Sequence, residues 1–147
     1  TASSDLSNVL FSYSSQIDNA GFVTGTTYTT ASGSNYNYWG VSGVQNSSYK
    51  TIISTKWVKI SGVSTVTIWA KIWNQSAGGT AKCKVNIGTA NGSVTGTAAQ
   101  VTPEWKSFTI DVSGLTNGTT YDVTIQLSQS DSNDFHVYLG SIIAIAS

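Results

Sequence analysis

Two tryptophans in one extended run carry the sharpest chemical signal in this sequence. Across residues 63–74, Val66, Ile68, Ala70 and Ile72 fall in one phase of a two-residue period. Thr65, Thr67, Trp69, Lys71 and Trp73 fall in the other. A strand with that pattern sets Trp69 and Trp73 on its polar side, about 13 Å apart. Indole rings spread over a polar sheet can stack sugar rings. Ring CH groups lie on the π-face, and neighbouring hydroxyl, amide and ammonium groups take the sugar hydroxyls. Indole also anchors protein interfaces, and a loop from the 14–48 segment could cover both rings. A second cluster is Asn35-Tyr36-Asn37-Tyr38-Trp39. Rigid amphipathic rings among small hydrogen-bonding groups are the chemistry of antibody-like contact surfaces. Tyr36, Tyr38 and Trp39 are thus candidates for a sugar or protein contact, or for packing at the edge of the fold.

Groups that could run catalysis are sparse. The acids are Asp5, Asp18, Glu104, Asp111, Asp122, Asp131 and Asp134. A glycosidase needs two carboxylates flanking one bond, but six of these seven occupy turns or polar-phase positions, where solvation explains them. The sequence has no Gly-x-Ser-x-Gly elbow, phosphate loop or His-rich metal motif. No catalytic residue, metal or cofactor is therefore expected. Asp131, Ser132, Asn133 and Asp134 form an oxygen-rich loop that resembles part of a calcium site. Such a site needs further ligands from elsewhere, so a solvated turn is expected. Cys83 is the sole cysteine and His136 the sole histidine. Cys83 lies in the apolar phase of 80–87 and reads as a buried, unreactive side chain.

Charged residues make up 10% of the 147 positions, against about 25% in an average soluble domain. Ser, Thr, Asn and Gly take their place. Seven lysines, scattered among apolar positions, balance seven acids. Nucleic-acid binding draws most of its affinity from a basic patch, so that class is set aside. Zero net charge also lowers the barrier to self-association. No run is apolar enough for a membrane-spanning helix, and none resembles the core of a signal peptide. The chain starts at Thr1 without Met, which fits either removal of an initiator Met or processing of a longer product.

Period-two alternation dominates the whole chain. Strands are expected at 6–13, around 26–30 and 38–41, and over 49–61, 63–74, 80–88, 104–112, 121–128 and 135–146. The stretch 89–102 reads as a Gly/Asn/Thr-rich connection. This spacing predicts one all-β domain over residues 1–147, an antiparallel jelly-roll β-sandwich of about eight strands. The final Gly140-Ser141-Ile142-Ile143-Ala144-Ile145-Ala146 run is apolar on both faces. It should be buried on both sides or paired with another chain.

The second half carries a family pattern. Pro103-Glu104-Trp105-Lys106-Ser107-Phe108 starts one strand, and Ser113-Gly114-Leu115 leads on to Gly118-Thr119-Thr120-Tyr121. Val137-Tyr138-Leu139-Gly140-Ser141-Ile142 closes the chain. This resembles the jelly-roll modules of carbohydrate-binding-module-like or galactose-binding-like type, over roughly residues 49–147. Such modules occur in phage decoration and fibre proteins and beside secreted polysaccharide-degrading enzymes. The resemblance implies a non-catalytic protein at a virion surface or in the extracellular space. Its expected partners are other virion proteins and its own copies, as a homo-oligomer with trimers among the forms, and a glycan. The other reading it implies is a carbohydrate-binding module of a secreted enzyme.

Overall fold

The computed structural model of the chain describes residues 9–14, 27–29, 35–37, 39–41, 48–131 and 136–147. Eleven strands are placed among them. They are β1 (Val9–Ser14), β2 (Thr27–Thr29), β3 (Asn35–Asn37), β4 (Trp39–Val41), β5 (Lys50–Val58) and β6 (Thr65–Asn74). β7 (Ala81–Ile87), β8 (Ala90–Thr95), β9 (Glu104–Asp111), β10 (Thr120–Gln129) and β11 (Val137–Ala146) follow. No helix occurs among the described residues.

One sheet has the order β1-β11-β6-β9, with β4 also paired to β11, and the second has the order β5-β10-β7-β8. From β5 to β11 the chain passes repeatedly from one sheet to the other. That is the eight-stranded jelly roll of two Greek keys, with the β2–β3 ribbon and β4 inserted between β1 and β5. The alternation in the sequence causes this layering. In β7, Ala81, Cys83, Val85 and Ile87 are buried while Lys82, Lys84 and Asn86 are only partly covered. β10, paired to β7 in the same sheet, extends that row with Ile125 and Leu127, and β6 of the opposite sheet supplies the facing row, including Ile68 and Ile72.

Cys83 is completely buried, and loss of solvation pushes its thiol up to about 12. It should resist a thiol reagent under native conditions and react only as the protein unfolds. Rapid labelling of the folded protein would contradict this placement.

One expectation is corrected. The stretch 89–102 is not all connection, because β8 occupies Ala90–Thr95. Its core-phase residues are Ala90, Gly92 and Val94, too small to signal an apolar strand. Gly88, at a φ of +58°, starts the two-residue turn that joins β8 to β7. Gly92 is small because β8 and β9 meet there at the edges of the two sheets. A Cβ on Gly92 would lie 2.8 Å from the Thr109 carbonyl oxygen and 3.0 Å from side-chain atoms of Phe108 and Ile110. Gly92→Ala should therefore cost about 2 kcal/mol through overpacking, read from a denaturant midpoint.

For β11 the first of the two expected placements holds, covered on both faces within the chain. It is an interior strand, bonded to β6 on one side and to β1 and β4 on the other. Its apolar residues are satisfied within the chain, so no unpaired edge argues for a second copy. A bulge between Leu139 and Ser141 switches its phase. Val137 and Leu139 face the core before it, and Ile142 and Ala144 after it.

Candidate functional site

The outer face of the β1-β11-β6-β9 sheet brings together the exposed aromatic side chains. β6 is the strand that places them. Its core-phase residues bury Val66, Ile68, Ala70 and Ile72, which turns Thr67, Trp69, Lys71 and Trp73 outward. β9 pairs antiparallel with β6, setting Trp69 opposite Ser107 and Lys71 opposite Trp105. On the other flank Trp69 faces Ile143, Lys71 faces Ser141 and Trp73 faces Tyr138.

Trp69 and Trp73 share the outer phase, as the sequence indicates, but only one of them is open. Trp69 is 42% exposed and Trp73 is 1% exposed. The Trp73 ring lies 5.4 Å from the Tyr138 ring, tilted by 36°, and Tyr138 is itself 1% exposed. Trp73 is therefore a packing residue on the outside of the sheet rather than a contact surface. Its place in the open face is taken by Trp105, 50% exposed on the neighbouring strand. Trp69 and Trp105 are diagonal cross-strand neighbours, about 7–8 Å apart at the backbone. Sequence reasoning passed over Trp105 although the signal was present. It lies out of phase with Phe108, Ile110 and Val112, the apolar set of its strand.

Around the two indoles stand Thr67, Ser107, Thr109, Ser141 and the Lys71 ammonium. The ammonium lies 5.9 Å from the centre of the Trp105 ring, a cation–π distance. The face thus offers two π-surfaces, hydroxyls and one cation. Of the second aromatic cluster, Tyr36 sits in β3 opposite Tyr28, and Trp39 sits in β4 opposite Leu139. Tyr38 lies outside the described residues. So does Asp134 of the oxygen-rich loop, and no group of three metal-ligating residues occurs among those described.

The outer face of the other sheet is different in kind. Asn86 donates from Nδ2 to Thr124 Oγ1 at 3.0 Å and to Gln126 Oε1 at 2.9 Å, and Gln126 donates to Thr51 Oγ1 at 3.1 Å. Lys56 is paired with Asp122, and the Lys84 ammonium rests over the Tyr49 ring at 5.6 Å. Burial raises the Tyr49 phenol above its ordinary range, partly offset by its hydrogen bond with Ser93. These polar groups largely satisfy one another, so this face has less to offer a ligand than the Trp69–Trp105 face.

No protein-family model and no curated protein sequence matches the chain. Among solved structures it is similar to the ligand-free form of BiXyn10A CBM1, a carbohydrate-binding module of a xylanase. The TM-score is 0.52 at 11% identity, over 95% of this chain and 99% of that one. The chain has a carbohydrate-binding-module-like β-sandwich fold. The match nearly spans both chains, so this module-like sandwich takes in both sheets. At 11% identity the likeness concerns backbone architecture. The chemistry of the module-like sandwich must be argued from its own side chains.

Proposed function

We propose that the chain is a non-catalytic glycan-binding module, working outside the cell or on a particle surface. The observation that carries this is the exposed Trp69–Trp105 pair on a strand-built, hydroxyl-rich face. Burying large aromatic surface is favourable, and leaving two indoles in water on a rigid sheet is costly without a partner. Strands hold the rings in fixed relative positions, so little order is lost on binding. Sugar rings offer flat CH faces to the indoles, and their hydroxyls find Thr67, Ser107, Thr109 and Lys71. The carbohydrate-binding-module-like fold supports the same reading. A survey of insoluble polysaccharides and a glycan array, followed by titration calorimetry, tests it. Retention on at least one polysaccharide, at micromolar to millimolar affinity, is the expected result. No binding to any glycan by the folded protein would overturn it.

A second reading rests on the same two indoles and the zero net charge. Trp is a common anchor at protein interfaces, so this face could seat the chain on a virion as a decoration or fibre protein, alone or as a homo-oligomer such as a trimer. Sedimentation at high concentration separates the two readings. A stable oligomer whose assembly is abolished by Trp69→Ala or Trp105→Ala favours the particle role. A monomer that binds glycan through those residues favours the module.

A further inference from the structure

Lys71 occupies the centre of the aromatic face and is held there. Its stem runs over the β11 bulge, where a Cβ on Gly140 would come within 3.5 Å of Lys71 Cδ and 3.1 Å of Trp73 Cζ3. Gly140 therefore leaves the gap in which the stem packs beside the buried Trp73 ring. The ammonium emerges over Trp105, at 5.9 Å. Its cross-strand neighbours are Ser141 and Trp105, and neither is acidic. The Lys56–Asp122 ion pair lies on the other sheet. Glu104, opposite Ile72 in the other phase of β9, accepts from the Thr97 amide beside Gly96, and Asp111 stands opposite Thr65, six residues along β6 from Lys71. The open aromatic face thus presents a positioned cation with no carboxylate paired to it among the described residues.

We infer that Lys71 selects glycans bearing a carboxylate, so that this face takes uronic-acid-containing chains in preference to neutral ones. The inference rests on the glycan-binding reading and deepens it. Stacking on Trp69 and Trp105 supplies affinity that is indifferent to charge. A carboxylate on a stacked ring, or on a branch beside it, meets an ammonium whose stem is already ordered. Charge-assisted hydrogen bonds are the stronger kind, and a pre-packed stem loses less freedom in making one. The ammonium remains in contact with water, so the effect is a selectivity and not the main source of binding.

The probes are a glucuronic-acid-substituted xylo-oligosaccharide and the same molecule with its carboxyl reduced to a hydroxymethyl group. Calorimetry of the wild-type protein at low salt should show about fivefold tighter binding of the acidic form. The preference should vanish in Lys71→Met, which keeps an apolar stem, and should shrink at high salt. Lys71→Met should weaken the acidic probe more than the reduced one, whose hydroxyls also reach the ammonium. Equal binding of both probes by the wild type overturns the inference while the aromatic platform stands. So does a preference that survives Lys71→Met. Failure of both probes to bind also overturns it, and the platform reading falls with it only if the polysaccharide survey is negative as well.

Discussion

Trp73→Ala should be the most damaging single substitution on the outer face of the sheet, lowering stability by about 3–5 kcal/mol. The ring is 1% exposed and packs against Tyr138 and over Gly140. Removing it takes away a large buried surface and leaves a cavity that rigid strands close only in part. The loss should register as a lower denaturant midpoint at an unchanged slope. Where the folded state is still populated, glycan affinity should be retained, because Trp73 is not open to a ligand. A melt like that of the wild type would show that Trp73 does not pack as described.

The opposite behaviour is expected of the other two residues on that face. Trp69→Ala and Trp105→Ala should each weaken glycan binding by about 2 kcal/mol, or about thirtyfold. Each should cost the fold only about 1 kcal/mol, since roughly half of each side chain is already in water. The two rings are diagonal neighbours that would contact one ligand, so their effects need not add. The double variant should fall below the limit of detection while folding normally. Calorimetry beside a thermal melt reads both quantities on the same samples. An affinity unchanged by the double substitution would remove the platform from the account.

These contrasts show what a period-two reading of the sequence can and cannot reach. The phase of β6 is legible, because four apolar residues alternate with Thr, Lys and Trp without interruption. β7 and β10 are legible for the same reason. The phase does not tell Trp69 from Trp73. Both point outward, and what separates them is the neighbour on β11, Ile143 for one and Tyr138 for the other. That difference is set by a pairing some seventy residues away in the chain. Trp105 was legible from its own strand, but its meeting with Trp69 depends on the β6–β9 register. β8 was hidden because its inward residues are Ala, Gly and Val, and the glycine serves a close approach that local pattern cannot show. The apolar terminal strand is likewise ambiguous from sequence. An interior strand and an intermolecular edge need the same residues, and the sheet order decides between them.

The sequence contains five tryptophans, Trp39, Trp57, Trp69, Trp73 and Trp105, and their indole N–H resonances give one direct test of the central claim. The measurement is an NMR titration of the wild-type protein with a polysaccharide fragment that it retains, following the five indole signals, assigned by single substitution. The signals of Trp69 and Trp105 should shift progressively and saturate together, while those of the buried Trp57 and Trp73 stay in place. Movement of Trp39 alone would transfer the site to the Tyr36–Trp39 cluster. Saturable binding that leaves Trp69 and Trp105 unmoved would contradict the account.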